Sequence, residues 1–409
     1  MDLGMIEVDA AGPETTQMDS LKNMLKSDVA LNYGRPSDFV TQQALAILNM
    51  APAGGKYPPT LIWTLDDNYH FVDPLNWAFV CHGTRMPNGT LLTPGCTVVV
   101  DVEGVQRTLW EDGVVYGTSE FDVGVNQRNI NKMDVLLEAC GGVALTTKRL
   151  EDYYRGVGYT KTYVYPNSVY FPHYDTFKDY VIKRRDPEMV KVMWQGGASH
   201  YPDWWEMRDT IVEAARRHPK VKFIIWGTSF KSIHGRIPEA QVELIEWMDY
   251  KSYKYVLGSL DFDFCIAPLA VSKFNDGKSS IKMYEAACLP EPKPTLASRT
   301  APYIDDIIDG QTGMLYSGRE EFLEKFGTMV EDAALRKTLG QNANTWLHEN
   351  VDALKTTPPF IEWMLDQRAT MKGRLDVGEM VREKFEDIDE RVEPMKLIVP
   401  KQKLVAVGG

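Results

Sequence analysis

The sequence predicts an α/β protein with two domains, each built on a parallel, doubly wound sheet. The second half of the chain contains three apolar runs of strand length, at residues 190–195, 221–227 and 263–269, separated by polar or helix-like segments. Strands that alternate with helices in this way form parallel sheets with helices on both faces. The length of 409 residues is enough for two such domains, each with a full apolar core.

A glycine turn follows the first of these runs. Gly196 and Gly197 end the run, and a helix is predicted to continue to about Arg217, with Asp203 and Glu206 at the spacing of an N-terminal capping pair. Glycines in such a turn allow the backbone to approach a phosphate without a Cβ in the way. A tight turn alone also needs glycine, so both interpretations stay open.

A polar segment lies between the run at 263–269 and the next predicted helix. The apolar face of this helix has the spacing i, i+3, i+7, with Ile281, Tyr284 and Cys288. The free backbone N–H groups at a helix start, together with two hydroxyls and an ammonium, form a cradle that suits a diphosphate. The polar residues at this position are Lys278, Ser279 and Ser280.

The same segment continues with a glutamate, a strand and a glycine turn. Glu285 lies on the predicted helix, residues 293–298 (KPTLAS) contain the strand, and residues 309–313 (DGQTG) form the turn. This order resembles the donor half of the nucleotide-sugar glycosyltransferases with the GT-B fold, in particular the retaining family-four type. In that family two Rossmann-like domains face each other across a cleft, and a helix glutamate holds the nucleotide ribose.

The resemblance includes two departures. The family has a second glutamate eight positions before the first, and Gly277 stands there in this chain. The glycine turn that usually follows the helix is replaced by residues 289–292 (LPEP). A variant of the family opens this helix with a Lys-Ser pair, and Lys278-Ser279 resembles that variant.

The resemblance implies a role for each polar residue of the segment. Lys278 and the backbone N–H groups of Ser279 and Ser280 would stabilise the charge that develops on the departing diphosphate, in place of a metal ion. Glu285 would accept hydrogen bonds from the ribose hydroxyls of a UDP-sugar, and Lys282 is included as a further phosphate contact. The simpler interpretation of each is a charged side chain on a solvated loop or helix. Neither a metal nor a protein-bound cofactor is expected.

Three further residues are candidates for the acceptor side and the cleft. Asp66 and Asp67 end a predicted strand, where α/β folds place ligands, and their carboxylates would orient or deprotonate an acceptor hydroxyl. A turn or a helix cap is the alternative. His200 follows the glycine turn and is expected near the cleft, either catalytic or structural. Retaining transfer in the family is thought to need no protein nucleophile, so none is assigned.

The resemblance also sets the expected domain boundaries. The segments are, in order, an acceptor-side domain (1–172), a linker (173–188), a donor domain (189–345), C-terminal helices that cross back to the first domain (346–375) and a charged tail (376–409). Within the C-terminal helices, residues 357–359 (TPP) are expected to break one helix and residues 360–375 to form the last one. The tail is expected to be a solvated helix followed by a loose or oligomer-pairing strand.

Net charge and local resemblance bear on the acceptor. The net charge of −12 opposes non-specific binding to nucleic acid, although three basic clusters would allow a local basic face. The clusters are residues 183–185, 216–218 and 251–254. Residues 66–76, 109–113 and 121–126 resemble phage-encoded glycosyltransferases, which modify hydroxymethylated bases of viral DNA or virion proteins. A macromolecular acceptor is therefore expected, with hydroxymethylated DNA first; a virion protein and a cell-envelope glycan stay open.

Cysteine usage and hydropathy bear on location. The five cysteines are widely spaced without a Cys-x-x-Cys motif, and no run approaches the roughly 20 apolar residues of a membrane span. The N-terminal residues are acidic where a signal peptide is basic. We therefore expect a reduced cytoplasmic protein, in the host cytoplasm if it is phage-encoded. The sequence does not predict the oligomeric state.

Two other functions are compatible with the same fold. A non-catalytic sugar-nucleotide-binding protein is favoured by Gly277, which replaces one of the family's two glutamates. An epimerase or a phosphorylase is the other, and the cofactor-binding lysine motif of a phosphorylase is not found in the sequence. Hydrolysis of a nucleotide sugar without acceptor would separate an enzyme from a binding protein.

Overall fold

The computed structural model describes residues 29–53, 59–74, 76, 78–86, 88–92, 97–102, 105–107, 122–176, 186, 188–228, 235–371, 376–391 and 403–406. The strands are β1 (Val29–Tyr33), β2 (Thr60–Leu65), β3 (Thr97–Val102), β4 (Val105–Arg107), β5 (Gly142–Leu145), β6 (Thr162–Val164), β7 (Val190–Gly196), β8 (Val221–Gly227), β9 (Val242–Ile245), β10 (Phe264–Ala267), β11 (Thr295–Ser298), β12 (Met314–Tyr316) and β13 (Lys403–Ala406). The helices are α1 (Asp38–Ala53), α2 (Phe79–His82), α3 (Val123–Ala139), α4 (Lys148–Gly156), α5 (Phe171–Asp175), α6 (Tyr201–Arg217), α7 (Tyr250–Ser259), α8 (Ile281–Ala287), α9 (Tyr303–Asp306), α10 (Gly318–Glu331), α11 (Ala333–Asn350), α12 (Ala353–Met371) and α13 (Val377–Arg391).

Two parallel sheets organise the two halves of the chain. The first has the strand order β1-β2-β5-β6 and the second β12-β11-β10-β7-β8-β9, and neighbouring strands are parallel in both. A smaller sheet has the order β13-β3-β4. The predicted α/β class with two Rossmann-like sheets is therefore confirmed.

The middle strand of the second sheet, β7, is buried on both faces, which explains its nearly continuous apolar sequence. Val192 and Trp194 pack on one side with residues of α6 and α10. Met193 points to the other side, where it packs with Leu257 of α7 and Ala286 of α8. Alternate residues of a strand face opposite sides of the sheet, so one apolar strand serves both layers.

The strand order of the second sheet reverses at β7. This strand pairs with β8 from Val190↔Val221 through Gly196↔Gly227, and with β10 on its other edge. In open parallel sheets a ligand binds at the carboxyl ends of the strands where the order reverses. Gly196 ends β7 at this switch point, and the loop after β10 leads to α8.

The expected break at residues 357–359 is wrong. Pro358 and Pro359 lie inside α12, and the chain instead breaks before it, where the Leu354 N–H donates to Asp352 Oδ1 at 3.0 Å. The prolines remove hydrogen bonds near the start of the helix, on a side where Leu354 is 60% exposed and carbonyls can be hydrated. The helix then packs Phe360 against Ile62 and Ala144 of the first sheet.

The expected solvated helix in the tail is wrong as well. Val377, Val381 and Phe385 of α13 are buried against α1 and α3. Their spacing of four residues forms an apolar stripe, which the alternation of charge on the other faces obscured. The strand β13 pairs with β3 of the same chain, so this pairing occurs within the chain rather than between copies.

Two local predictions for the second domain also need correction. The helix α6 begins at Tyr201 without a side-chain cap, because the Asp203 carboxylate makes hydrogen bonds elsewhere. Ile281 of α8 is 42% exposed instead of buried, whereas Met283 and Ala287 fill the core side of that helix. Residues 177–185 and 187 of the expected linker, which include the basic cluster 183–185, lie outside the described residues, as does 109–113.

Candidate functional site

The residues singled out in the sequence converge at the carboxyl ends of β7, β10 and β2. Gly196 and Gly197 end β7, Lys278 lies in the loop between β10 and α8, and Asp67 follows β2 of the first sheet. The Nζ atom of Lys278 lies 3.4 Å from Oδ1 of Asp67. Residues predicted for the two sides of the cleft are thus in direct contact, and the partly buried Asp66 precedes Asp67.

Lys278 is held where the two halves meet. Its ammonium lies 4.6 Å from the centroid of the Phe274 ring, within the range of a cation–π contact. The Asp67 carboxylate is partly exposed, so the ion pair faces solvent on one side. An anion that enters the cleft can therefore take the place of Asp67 at this ammonium.

Gly277, which stands where the sequence resemblance places a second glutamate, is packed against the first half of the chain. A Cβ on Gly277 would lie 2.9 Å from Cδ1 of Leu150, a residue of the first half of the chain. The hydroxyl of Thr147, which caps α4, donates to the Gly277 carbonyl at 3.0 Å. A larger side chain at this position requires the end of the Leu150 side chain to move while the two halves are in contact.

A chain of hydrogen bonds connects three side chains behind the glycine turn, and we call it the Asp203–His200–Lys282 relay. Asp203 and Lys282 are buried, and the His200 side chain is 13% exposed. Oδ2 of Asp203 lies 2.6 Å from Nδ1 of His200, and Nε2 of His200 lies 2.9 Å from Nζ of Lys282. Because an ammonium only donates, Nε2 accepts and Nδ1 carries the ring proton, which it donates to Asp203. The sequence pattern predicted Asp203 as a helix cap rather than as a site residue, although its spacing of three residues from His200 was a usable signal.

The electrostatic environment of the relay is set by burial. Burial and the neighbouring charges of Lys282 and Lys278 hold the pKa of His200 well below its ordinary value, so the ring is neutral. Burial raises the pKa of Asp203 to about 6, although the Ala270 N–H and nearby lysines favour its charged form. Burial and Lys278 lower the pKa of Lys282 to about 8.

Glu285 points toward the end of β7 and toward α7. Its Oε2 atom accepts a hydrogen bond from Nε2 of Gln195 at 2.8 Å. Burial raises the pKa of Glu285, and hydrogen bonds from Gln195 and Tyr253 oppose that shift. Gln195 was not predicted, although it is a polar residue at the end of an otherwise apolar strand.

A cavity of about 280 Å³ borders Glu285. The exposed Ile281 belongs to its wall, which explains why this side of α8 is apolar without being part of the core. The other walls come from α7 and from the segment that leads to β7. Its aromatic and cationic lining consists of Tyr170, His173, Tyr174, Tyr253, Lys254 and Tyr284.

The two serines at the start of α8 differ in accessibility. Oγ of Ser279 accepts a hydrogen bond from Nδ2 of Asn167 at 2.7 Å, so this hydroxyl lies at the meeting point of the two halves. Ser280 is fully buried, with a relative exposure of 0%. A ligand in the cleft therefore does not reach the Ser280 hydroxyl in this structure.

The two glycines after β7 have different requirements. A Cβ on Gly196 would lie 2.7 Å from Cδ2 of His200 and 2.9 Å from Trp194, so this glycine makes room for the relay. A Cβ on Gly197 would have only an ordinary contact, 3.8 Å from Trp247. Gly197 therefore leaves open space beside the cleft.

The first half contributes an aromatic residue flanked by cations. The Nζ atom of Lys273 lies 4.6 Å from the centroid of the Phe71 ring, and Cζ of Arg85 lies 5.7 Å from it. Lys273 belongs to the second half and Arg85 to the first, so positive charge from both halves meets at this ring. None of these three residues was predicted, because each is isolated in sequence.

A buried network supports the turn that carries Phe71. Nε2 of His70 lies 3.0 Å from Oδ1 of Asp134, and the Tyr153 hydroxyl lies 2.9 Å from Nδ1 of His70. The Tyr159 hydroxyl donates to the same carboxylate at 3.1 Å. These contacts fix the 3₁₀ turn Tyr69–Phe71 against α3 and α4.

Comparisons with known proteins identify the fold. No protein-family model matches the sequence, and no curated protein matches it. Among solved structures, TarM matches with a TM-score of 0.51 and 13% identity, over 84% of this chain and 57% of TarM. HepE of Anabaena, solved with UDP and glucose, matches with a TM-score of 0.53 and 13% identity, over 85% of this chain and 81% of HepE.

A third match is a sucrose-phosphate synthase of Thermosynechococcus elongatus, with a TM-score of 0.50 and 12% identity, over 88% of this chain and 82% of that protein. This chain has the GT-B fold. At such low identities the likeness establishes architecture and leaves the activity to the site itself.

The GT-B architecture explains why the candidate residues converge. Its two sheets direct their carboxyl ends into a shared cleft, to which Asp67 comes from one sheet and Lys278 from the other. Among the residues described, no helix is long and apolar enough to span a bilayer. Within that same part of the chain, no group of three or more His, Cys, Asp or Glu side chains is arranged to hold a metal ion.

Proposed function

We propose that this protein is a glycosyltransferase that moves a sugar, a hexose, from a UDP-sugar to a hydroxyl of a macromolecule with retention of configuration. The observation that carries the proposal is the group of Lys278, Lys282 and Glu285 at the switch point of the second GT-B sheet. Two ammonium groups and a carboxylate in this arrangement match a diphosphate followed by a ribose diol. HepE, which shares the fold, was solved in complex with UDP-glucose.

In this proposal the donor lies along α8. Its diphosphate contacts Lys278, Lys282 and the backbone next to Gly197, where a ligand has open space. The ribose hydroxyls donate to Glu285, which Gln195 already orients. The base enters the adjacent cavity, whose volume of about 280 Å³ and aromatic lining suit a pyrimidine.

The proposed chemistry depends on stabilisation of the leaving diphosphate. Negative charge grows on this group as the glycosidic bond breaks, and ammonium groups in a partly dry site stabilise it without a metal ion. Lys278 leaves Asp67 to contact the diphosphate, so the Asp67 carboxylate becomes available to an acceptor hydroxyl. Asp66 is the neighbouring candidate for the same task, and no protein nucleophile is assigned.

For the acceptor we propose hydroxymethylated DNA, modified in the cytoplasm, which is that of the host if the protein is phage-encoded. Arg85 and Lys273 supply positive charge next to the cleft, although the whole chain carries a net charge of −12. Phe71 lies between these two cations, and aromatic rings combined with positive charge are typical of nucleic-acid sites. A virion protein and a cell-envelope glycan are the competing acceptors.

The donor half of the proposal is tested by calorimetry. The purified protein is expected to bind UDP, whereas AMP, which lacks a diphosphate, serves as the control. If no nucleoside diphosphate binds, the proposal is wrong.

The acceptor half is tested with labelled UDP-sugars offered to three acceptors in parallel: duplex DNA with hydroxymethylated pyrimidines, virion proteins and a lipid extract. Label is expected in the hydroxymethylated duplex and not in the unmodified duplex of equal sequence. Label in protein or lipid would overturn the DNA proposal while leaving glycosyl transfer in place.

A second candidate function is a non-catalytic sugar-nucleotide-binding protein. The close packing of Leu150 on Gly277 favours it, because one of the family's glutamates has no counterpart here. Slow hydrolysis of a UDP-sugar to free sugar, lost in Lys278→Ala, would identify an enzyme. Tight binding without hydrolysis or transfer would identify the binding protein.

A further inference from the structure

A phosphate contact requires only the ammonium of Lys282. In the Asp203–His200–Lys282 relay, this ammonium is also held by hydrogen bonds that run through His200 to Asp203. Lys282 is only 5% exposed, and its hydrogen-bond partner is the neutral ring of His200 rather than a carboxylate. Asp203 is anchored on its other oxygen by the Ala270 N–H at 2.7 Å and by Nδ2 of Asn275 at 3.2 Å. A buried ammonium with a neutral partner is poorly compensated until an anion arrives.

Resting on the proposed function, we propose that binding of the donor's diphosphate is coupled to uptake of a proton by Lys282, with His200 and Asp203 as positioning residues. In the empty site a fraction of the protein holds Lys282 as the neutral amine. The diphosphate carries negative charge to the amine, which then takes a proton from solvent and becomes an ammonium. His200 accepts one N–H of Lys282 in both states, so the amine stays directed at the phosphate.

The charges around Lys282 act in both directions. Lys278, on the loop before α8, disfavours its charged form, as does burial. Asp203 of α6, Glu285 of the same helix and the Cys265 thiol of β10 favour the charged form. Their balance brings the pKa of Lys282 to about 8, close enough to neutrality for a bound anion to change its protonation. Asp67 of the first half also acts on the relay, through His200.

The test is calorimetric titration of the full chain with UDP in two buffers of different ionisation enthalpy, which measures the protons taken up per bound nucleotide. At pH 7 the expected uptake is close to zero, because Lys282 is already charged. At pH 8.5 the expected uptake exceeds about half a proton per UDP, because most of the free protein then holds the neutral amine.

Three variants separate the relay from a general electrostatic effect. Lys282→Arg fixes the charge, so it is expected to bind UDP without proton uptake at either pH. Asp203→Asn removes the largest favourable charge effect on Lys282, so its uptake is expected to begin at a lower pH than in the wild type. Lys337→Met, an exposed site on α11, is the matched control and is expected to behave as the wild type.

The outcomes are distinguishable. UDP binding without uptake at pH 8.5, or equal uptake in Lys282→Arg and wild type, overturns the proton coupling and leaves the proposed donor site intact. An unchanged pH of onset in Asp203→Asn overturns the positioning role, because a purely structural residue would not move the pH profile. Failure of the wild type to bind UDP at all overturns the proposed function and this inference with it.

Discussion

At the scale of single residues, Glu285 is the sharpest test of the donor site. Glu285→Gln preserves the size of the side chain and an oxygen for Gln195. It removes the charge that, in the proposed donor site, strengthens hydrogen bonds to the ribose. Charge-assisted hydrogen bonds are worth about 1.5–3 kcal/mol, so UDP affinity is expected to fall at least about 10-fold by calorimetry. Glu320→Gln, at a side chain that is 83% exposed, is the control and should bind as the wild type. Equal affinities in both variants would locate the nucleotide elsewhere.

Lys282 is expected to lower stability at neutral pH. Its pKa falls from 10.5 to about 8 in the folded protein, so between these values the unfolded chain holds more protons, and stability rises with pH. Lys282→Met lacks this rise. The free energy of unfolding of Lys282→Met should exceed that of the wild type, and this difference should shrink by up to about 3 kcal/mol between pH 8 and 10.5. Urea unfolding at pH 7, 9 and 10 measures it, and a difference that does not change with pH would contradict the prediction.

Some site residues could be predicted from sequence and others could not. Lys278 and Glu285 belong to a short ordered pattern, His200 follows the glycine turn at the end of β7, and their neighbours in the fold follow from the strand–helix alternation. Asp203 also has a local signal, which is its spacing of three residues from His200. Its equal spacing from Glu206 indicated a helix-capping pair instead. Phe71 and its flanking cations come together only through the packing of two distant segments, which no local pattern encodes.

At the scale of elements, buried parallel strands were the most predictable features. β7, β8 and β10 are apolar because both of their faces are covered. The predictions for the proline pair in α12 and for the charged tail were wrong for the same reason. In both segments tertiary packing outweighs the local structural preference of the residues. Phe360 anchors one helix to the first sheet, and the apolar stripe of α13 is visible only at helical spacing.

The packing of α13 gives a prediction about stability. Phe385 is 2% exposed, and replacement of a buried Phe by Ala typically costs about 3–5 kcal/mol. Phe385→Ala should lose stability in this range by chemical denaturation, whereas Arg382→Ala on the exposed side of the same helix should stay within about 0.5 kcal/mol of the wild type. A small effect of Phe385→Ala would return α13 to the solvated helix that its charge pattern suggested.

At the scale of the whole molecule, the contact at Gly277 couples the two GT-B domains. Gly277→Glu forces a side chain against Leu150 and should cost about 1–3 kcal/mol or separate the domains. Because the proposed donor site belongs to the second domain, UDP binding should change less than transfer does. Hydrogen exchange near Thr147 reports the separation, and Gly277→Ala is the mild control, since the flexible end of Leu150 can move.

The acceptor proposal predicts that DNA binding depends on positively charged side chains from both domains. Each phosphate contact adds about 0.9 to the slope of log affinity against log salt, so DNA binding should weaken steeply between 50 and 200 mM salt. Arg85→Ala and Lys273→Ala should each reduce this slope by about 1 for a hydroxymethylated duplex, measured by fluorescence anisotropy. Lys337→Ala, on the outer face of α11, should leave the slope unchanged.

If both cleft variants keep the wild-type slope, Arg85 and Lys273 do not contact DNA phosphates. If affinity is indifferent to salt, the acceptor is not a polyanion, and a virion protein becomes the better candidate.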